Sequence, residues 1–291
     1  MENRRRVSVV VPVRDDPRLA ACLEALRHQT YPPELVEVVV ADNGSSPPVT
    51  ETVDASTYTR CVVAPDGGSY AARNAAAAVS TGEVLAFTDA DCLPAPTWLT
   101  EIVSALHSGA DVVAGHVEVY ARDDRRPHPV EAYELVHAFP QETYVRRGGG
   151  SVTANLATLR TTFDAVGPFR HELYSGADIE WGQRAGALGM STVYCRKAVV
   201  RHPARDSFGA LNTKLRRVIM GRHERNVLDG APEAAPWPPL RSLVPPVGAL
   251  RRARDPRLVT QRARAGFVIG EFYHRYAAAW QHLRLAIRTR R

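Results

Sequence analysis

The first half of the chain alternates short, almost continuous apolar runs with segments in which apolar residues recur every three or four positions. The apolar runs are rich in valine, which is typical of strands buried on both faces. The other segments have helical periodicity, as Leu19, Cys22 and Leu26 illustrate. The pattern predicts strands over residues 7–13, 36–41, 59–64, 83–88 and 111–120, and helices over 17–29, 69–80 and 96–107. Such repeated units predict an α/β fold with a mostly parallel sheet and helices on both faces.

The second half is less regular. We expect a strand over 151–159, a helix over 178–188, a short strand over 191–195 and a long basic helix over 207–228. The proline-rich stretch 232–246 is typical of a linker or a strap along the surface. Residues 256–291 form one or two basic amphipathic helices in this interpretation.

Composition adds limits to this picture. With 291 residues, 45% apolar and 23% charged, the chain is long enough to bury a core without a disulfide or metal staple. No apolar run approaches a membrane span in length. The run that follows the basic Arg4–Arg6 ends at Pro12, so we expect a strand there and no signal peptide. The four cysteines have no metal-site spacing, which favours structural thiols in a reducing cytoplasm.

The net charge of +6 is unevenly distributed along the sequence. All the basic residues except Lys197 and Lys214 are arginines, and they cluster near the two ends of the chain. A solvated basic face explains this pattern, and attraction to an anionic membrane surface or an acidic substrate is the alternative. A cytoplasmic protein, with a peripheral location at the inner membrane face left open, is the expectation.

Polar residues follow each of the first four predicted strands. They are Arg14 and Asp15, then residues 42–45, then 66–69, then 89–91. Each segment alone could be ordinary turn chemistry. Because ligands of open parallel sheets bind at the carboxyl ends of the strands, the four segments together favour a polar crevice.

Asp89 and Asp91 are the most informative pair. They lie two residues apart at the end of a strand, where both carboxylates can reach the same side. Two such carboxylates repel each other unless solvent or a cation screens them. Mg²⁺ or Mn²⁺ prefers these oxygen ligands and completes its shell with phosphate and water.

Several enzyme classes lose their main support. The sequence has no G-x-G-x-x-G after the first strand and no P-loop lysine motif, which argues against a dinucleotide oxidoreductase and a P-loop phosphotransferase. It has no G-x-S-x-G elbow either, which argues against a serine hydrolase.

The motifs at these strand ends resemble those of the inverting family 2 glycosyltransferases, which have the GT-A fold. The resemblance runs from about residue 7 to 202, in the order and with the spacing of that family. It is carried by residues 7–14, 40–45, 72–75, 88–91, 150–160, 164–169 and 176–180. The segment 150–160 contains the central asparagine of the family's strand, here Asn155.

The resemblance implies a role for each matching residue. Asp178 is the implied general base, Asp91 a direct metal ligand, and His202 a further metal or diphosphate contact. Asp42 is expected at the nucleotide base, Arg73 near the diphosphate or base, and Asp89 at the ribose or a metal-bound water. The same resemblance places the remaining nucleotide-sugar contacts at Pro12, Arg14, Asn43, Gly68 and Ala90.

The implied reaction is transfer of a single sugar from a nucleotide-diphosphate sugar to an acceptor hydroxyl, with Mn²⁺ or Mg²⁺ as cofactor. A UDP-sugar is the expected donor, and the acceptor is a small molecule, a glycan or a lipid-linked molecule. No nucleic-acid partner is expected. A peripheral membrane contact and a homodimer are left open. The catalytic domain is expected over 1–230, with nucleotide binding in about 1–115 and acceptor binding in about 116–230. The linker is then 231–256, and the C-terminal helices are 257–291.

The chain departs from the family pattern at one position of the base motif. Ala177 stands where a glutamate usually precedes the aspartate, so acceptor handling is expected to differ. The Gln-x-x-Arg-Trp motif and the membrane helices of processive synthases are missing, which favours transfer of a single sugar over polymerisation. A sugar nucleotidyltransferase and a non-catalytic sugar-nucleotide or glycan-binding protein of the same fold remain as alternatives. An intact Asp178 argues against the second.

The C-terminal helix carries aromatic residues at mostly three- and four-residue intervals, among them Phe267, Phe272, Tyr276 and Trp280. The simpler expectation is that this stripe packs against the rest of the chain and leaves the arginines in water. A membrane-surface or self-association role is the alternative.

Overall fold

The computed structural model describes residues 4–51, 53, 59–64, 67–148, 150–233, 235, 237–238, 242 and 244–290. Asp66 of the third predicted strand end, Gly149, Arg291 and parts of the proline-rich stretch lie outside these residues. The chain forms two compact units. The first comprises Met1–Glu118, Phe139–Glu172 and Ala177–His202, and the second comprises Val119–Ala138, Leu173–Gly176 and Pro203–Arg291.

One sheet dominates the first unit. Its strands are β1 (Val7–Val13), β2 (Val36–Asp42), β3 (Thr59–Val63), β4 (Val84–Phe87), β5 (Leu93–Pro94), β6 (Val112–Tyr120), β7 (Leu156–Leu159) and β8 (Thr192–Pro203). The order across the sheet is β3-β2-β1-β4-β7-β6-β8-β5. The predicted strands near the N-terminus are confirmed.

The first four strands are parallel, so their carboxyl ends meet at one edge. β1 pairs with β2 through Val7 opposite Val36 and with β4 through Val10 opposite Phe87. Every side chain of β1 is buried, as expected for a strand that helices cover on both faces. The strand order reverses direction between β1 and β4, which is the place where such sheets bind ligands.

The remaining strands bring antiparallel pairing. β7 is antiparallel to both β4 and β6, and β5 is antiparallel to β8. The short strand predicted over 191–195 is instead the 12-residue β8, which continues to Pro203. Alternation of exposed and buried residues after Cys195 weakens the apolar signal, which explains why the prediction ended too early.

Helices of the first unit cover the sheet. They are α1 (Leu19–Arg27), α2 (Gly68–Val79), α3 (Trp98–His107), α5 (Gln141–Arg146), α6 (Arg160–Val166) and α7 (Ala177–Ala187). Short 3₁₀ helices lie at Pro33–Leu35, Val49–Glu51 and Thr153–Asn155. The pattern did not predict α5 or α6, because helices of six and seven residues contain too few turns to show a periodicity.

Asn155 holds the centre of the first unit together. Its side chain is fully buried. It accepts a hydrogen bond from the indole N–H of Trp98 at 2.8 Å, and it donates to the carbonyls of His116 at 2.8 Å and Ala198 at 2.9 Å. Gly115 makes room for it, because a Cβ there would lie 2.2 Å from its Oδ1. The asparagine therefore ties α3, β6 and β8 to the 3₁₀ turn in front of β7.

The second unit is helical. It contains α4 (Pro129–His137), α8 (Phe208–Leu228), α9 (Ala249–Arg252) and the 28-residue α10 (Gln261–Arg288). α10 approaches α4 through small residues, since a Cβ on Gly270 would lie 2.4 Å from the Pro129 carbonyl oxygen. Among the described residues, no helix combines the length and the apolar character that crossing a membrane requires.

The aromatic stripe of α10 is only partly buried. Phe267 is fully buried in a cluster with Ala132, Leu135 and Leu258. The prediction that the whole stripe is covered was wrong for Phe272, Tyr276 and Trp280, which are exposed. α10 packs closely against α4 through its small residues, so the side of α10 that carries them is buried. Phe272, Tyr276 and Trp280 therefore face solvent.

Candidate active site

A group of ligand-type side chains forms at the carboxyl end of β4. Asp89 and Asp91 follow this strand directly, and His202 stands near the end of β8. One ligand atom from each of these residues and from Cys92 lies within 4.8 Å of the others. The imidazole Nε2 of His202 is 3.5 Å from Asp91 Oδ2. The structure thus brings the two predicted metal ligands together, although their sequence positions are far apart.

The electrostatics of this group suit a divalent cation. Burial raises the pKa of Asp91, and the neighbouring Asp89 charge raises it further, while His202 and Arg18 act in the opposite direction. Burial also raises the pKa of Cys92 well above its usual value, so its thiol stays protonated and is a weak ligand. Two carboxylates and an imidazole remain, a donor set that fits Mn²⁺ or Mg²⁺.

Arg18 is a cation that already lies beside Asp91. One of its guanidinium nitrogens is 3.4 Å from Asp91 Oδ2. The same guanidinium donates two hydrogen bonds to Asp16, at 2.8 and 2.6 Å. Burial acts to raise the pKa of Asp16, but the bonds and charge of Arg18 outweigh it and lower that pKa. The loop after β1 therefore supplies a positive charge to the acidic group.

Helix α2 connects the acidic group to the predicted base. Arg73 on this helix forms an ion pair with Asp89. Tyr70, one helical turn earlier, donates a hydrogen bond from its hydroxyl to Asp178 Oδ1 at 3.0 Å. Arg73 is almost completely buried, and its Nε has no hydrogen-bond partner among the described residues. A buried donor of this kind leaves one N–H of Arg73 available to an anionic ligand.

Asp178 lies at the start of α7, where it is buried. Its carboxylate accepts further hydrogen bonds from the backbone N–H of Thr153 at 3.2 Å and from that of Ile179 at 2.9 Å. Burial raises the pKa of Asp178, and these hydrogen bonds, the Arg73 charge and Tyr70 only partly oppose that effect. A carboxyl group with a raised pKa is suited to accept a proton.

Glu180 lies two residues after Asp178 on α7 and has a different environment. It accepts a hydrogen bond from Arg184 Nε at 2.8 Å, and Arg170 lies 3.6 Å away. Arg184 also donates to the carbonyls of Val166 and Pro168. Glu180 therefore orients an arginine that closes the turn after α6.

Asp42 and Asn43 lie in the loop after β2, and both are buried. The two carboxylate oxygens of Asp42 accept from the backbone N–H groups of Ser45 at 2.8 Å and Val49 at 3.0 Å. Burial acts to raise the pKa of Asp42, and these hydrogen bonds outweigh it and lower the pKa. The structure shows a residue that shapes its own loop, and contact with a nucleotide base stays a prediction.

The other predicted contacts are spread along the same edge. Pro12 is opposite Ala41 in the sheet, and Arg14 is exposed in the loop that follows β1. That loop is joined to the loop after β2, because the Asp15 backbone N–H donates to Ser45 Oγ at 3.0 Å. Ala90 is buried between the two aspartates.

Gly68 begins α2 with a φ of +80°, a conformation that favours glycine. The helix has no side-chain cap at this end. Its first N–H groups are therefore suited to an anion.

Comparisons with known proteins identify the family. The family model described as "Glycosyl transferase family 2" matches residues 8–169, more than half of the chain. The chain belongs to this family. It is a glycosyltransferase, as the motifs at the strand ends predicted.

Curated relatives of this glycosyltransferase agree. Glycosyltransferase AglE of Haloferax volcanii is 34% identical over 230 residues, which cover 77% of this chain and 75% of AglE. Validoxylamine A glucosyltransferase of Streptomyces hygroscopicus subsp. limoneus is 31% identical, over 66% of this chain and 50% of that protein. The chain thus matches most of AglE but only half of the second relative.

Solved structures confirm the GT-A fold of this glycosyltransferase. The mannosyltransferase PcManGT of Pyrobaculum calidifontis, in complex with GDP-Man and Mn²⁺, has a TM-score of 0.63 and 18% identity, covering 97% of this chain and 88% of that one. GalNAc-T7 with UDP, GalNAc and Mn²⁺ has a TM-score of 0.56 and 18% identity, covering 75% and 49%. Both neighbours were solved with Mn²⁺ and a nucleotide or nucleotide sugar.

Sequence reasoning missed several residues of this glycosyltransferase that contact the predicted site residues. Tyr70 and Thr153 position Asp178, and Arg18 stands beside Asp91. Tyr70 could have been found, because it lies three residues before Arg73 and so on the same face of a predicted helix. Thr153 and Arg18 carry no such signal, since each meets its partner only in the folded chain.

Proposed function

We propose that this glycosyltransferase transfers a single sugar from a nucleotide-diphosphate sugar to an acceptor hydroxyl, with inversion at the anomeric carbon and with a divalent metal. The observation that carries the proposal is that one helix, α2, binds both halves of the site. Arg73 forms an ion pair with Asp89, which belongs to the group of ligand-type side chains, and Tyr70 donates a hydrogen bond to Asp178. The same helix therefore contacts both the residue proposed for donor binding and the residue proposed as the general base.

Asp91 and His202, with Asp89 beside them, would hold Mn²⁺ or Mg²⁺. Bound there, the cation would neutralise charge that develops on the diphosphate leaving group. The chain contributes its own positive groups to the same end. These are the free N–H of Arg73 and the uncapped N-terminus of α2 at Gly68.

Asp178 is proposed as the general base. In this proposal its ionised carboxylate takes the proton of the acceptor hydroxyl while that oxygen attacks the anomeric carbon, and the diphosphate leaves from the opposite face. A positioned base of this type contributes about 10²–10⁴-fold. Tyr70 and the Thr153 N–H hold the carboxylate in one orientation, so the acceptor hydroxyl meets a fixed acceptor atom.

The donor is proposed to be a UDP-sugar, and a GDP-sugar is the alternative that the screen below distinguishes. The neighbours support either choice, since one was solved with GDP-Man and the other with UDP. The acceptor is proposed to be a small molecule, a glycan or a lipid-linked molecule.

A thermal-shift screen tests the donor half. The melting temperature of the wild type should rise with UDP or GDP when Mn²⁺ is present and less without it, because a ligand of the native state stabilises by mass action. Asp91→Asn should remove the Mn²⁺-dependent part. Asp164→Asn, an exposed aspartate on α6, is the matched control and should behave as wild type. An equal shift in wild type and Asp91→Asn would refute the metal assignment.

Turnover tests the acceptor half. Asp178→Asn should keep the nucleotide-dependent shift and lose transfer, and the product of the wild type should have the inverted anomeric configuration by NMR. Retention of configuration would contradict the single-base mechanism. Donor binding without any turnover in the wild type would favour the non-catalytic alternative.

A further inference from the structure

One face of α10 presents a row of large apolar side chains to solvent. Ile269, Phe272, Tyr276 and Trp280 follow one another at spacings of three or four residues, so they lie along one line of the helix. Their exposed fractions are 53%, 38%, 40% and 56%. We call these four residues the outer row.

A groove lies beside the outer row, within the second unit. It has a volume of about 670 Å³ and lies between α8 and α10, where Phe208, Asn212 and Tyr273 complete its wall. The groove is mostly apolar. Contiguous exposed apolar surface of this kind marks a binding surface more often than a solvated one.

The outer row continues into a basic surface. Arg284 and Arg288 follow Trp280 on the same side of α10, and they line a second groove of about 450 Å³ together with Arg216 of α8. All three arginines are exposed. In the part of the chain that the structure describes, none of them forms an ion pair with a carboxylate.

The two helices concentrate the positive charge of the protein. α8 and α10 each contain five lysine or arginine residues and one glutamate, which gives eight net positive charges, against +6 for the whole chain. The other residues of the chain together are therefore slightly acidic. The partner that this surface fits is anionic.

We propose that the outer row and the three arginines bind the surface of an anionic phospholipid bilayer. Trp280 and its neighbours enter the boundary between headgroups and acyl chains, and Arg216, Arg284 and Arg288 bind lipid phosphates. Aromatic side chains with arginines beside them are suited to this boundary. The inference goes beyond sugar transfer and does not depend on it.

The charge distribution argues against a second copy of the chain as the occupant. A two-fold interface brings the same surface of both copies together, so Arg216, Arg284 and Arg288 of one copy would face the same arginines of the other. The outer row argues against a nucleic-acid duplex, since four exposed apolar side chains contribute little to phosphate binding. A bilayer provides negative charge and an apolar layer at once.

Vesicle sedimentation with the full chain tests the proposal. The protein should sediment with vesicles of phosphatidylcholine that contain phosphatidylglycerol, and not with phosphatidylcholine alone. Added salt should weaken the binding, because it screens the arginines. No substrate or metal is needed, so a failure here is distinct from a failure of the proposed reaction.

Variants separate the contribution of the arginines from that of the outer row. Arg284→Gln with Arg288→Gln should weaken binding about 25-fold, at roughly fivefold for each charge near the surface. Trp280→Ser should weaken it about tenfold. The matched controls are the exposed pair Arg196→Gln with Lys197→Gln on β8, and Leu188→Ser, which is 57% exposed. Both controls should bind vesicles as wild type does, with unchanged melting temperatures in all variants.

Three results would overturn the proposal. They are equal sedimentation with neutral and anionic vesicles, equal loss of binding in the controls, and a dimer by light scattering that Trp280→Ser dissociates while vesicles bind nothing. Should Trp280→Ser lower the melting temperature, the arginine pair alone decides the question, because removal of exposed charges leaves the core intact.

Discussion

Replacement of Tyr70 by phenylalanine tests how the protein sets the proton affinity of Asp178. The Tyr70 hydroxyl donates to Asp178 Oδ1 at 3.0 Å. A phenylalanine keeps the ring that packs near Phe169, at 5.9 Å between centroids, and under the guanidinium of Arg73, at 5.6 Å. The change therefore keeps both ring contacts and removes the hydroxyl that donates to Asp178.

The direction of the effect follows from the charge state. The hydrogen bond stabilises the ionised carboxylate, so its loss raises the pKa of Asp178 beyond the rise that burial already causes. A hydrogen bond to a charged group is worth about 1.5–3 kcal/mol, and about 1.4 kcal/mol corresponds to one pKa unit. Since 3.0 Å is long for a bond to a carboxylate, we expect the lower end of that range, about one pKa unit.

The assay is the pH dependence of nucleoside diphosphate release from the donor, with water as the acceptor. A base acts only when it is ionised, so the rate falls as the pH drops through the pKa of Asp178. We call this fall in rate on the acid side of the pH profile the acid limb. In Tyr70→Phe the acid limb should move to higher pH by about one unit, and the rate at the plateau should be largely kept.

Tyr31→Phe is the matched control. Tyr31 is also buried, and its hydroxyl donates to the Arg5 carbonyl at 2.7 Å. That variant should lose about 1 kcal/mol of stability and leave the acid limb in place. An unmoved limb in Tyr70→Phe, or the same displacement in Tyr31→Phe, would refute the reasoning.

Three predictions concern stability and are read by calorimetry. Asp178→Asn should raise the melting temperature at neutral pH, because the raised pKa of Asp178 means that its ionised form destabilises the fold. The difference between the variant and the wild type should shrink as the pH falls towards the ordinary aspartate range. A variant less stable than the wild type at every pH would contradict this. Glu37→Gln should lower the melting temperature at neutral pH. Burial acts to raise the pKa of Glu37, but hydrogen bonds led by that of Ser8 lower it to about 2, so the loss should fade as the pH falls from about 4.5 towards 2. A loss that persists at the acid end would count against it. Gly115→Ala should destabilise by about 1–3 kcal/mol, because the new Cβ would meet the Asn155 amide, and a neutral outcome would show that the amide can shift.

The sequence allowed the sheet and the metal-type cluster to be predicted in large part. Short, nearly continuous apolar runs are typical of strands buried on both faces, and β1, β2 and β4 were therefore predicted within a residue or two. Asp89 and Asp91 are two residues apart, so their proximity is a local property. The family resemblance then added His202 and Asp178, which no spacing connects to them.

What could not be predicted depends on contacts between distant segments. The hydrogen bond from Tyr70 to Asp178 joins residues 108 positions apart. The outward direction of Phe272 and Trp280 could not be predicted either, since the apolar period of α10 does not show which side meets α4. The small residues Gly266 and Gly270 decide that question, and their effect is visible only beside Pro129 and Tyr133.

The double attachment of α2 limits how this enzyme can be re-engineered. A chimera that exchanges the chain from residue 150 onward for that of a relative replaces Asp178 and Thr153 but keeps Tyr70 and Arg73. The incoming carboxylate must then meet a tyrosine hydroxyl that it did not evolve with, and an error there also disturbs the arginine that pairs with Asp89. The segments before and after this junction therefore cannot be recombined as independent modules, so α2 and the start of α7 have to be exchanged as one piece.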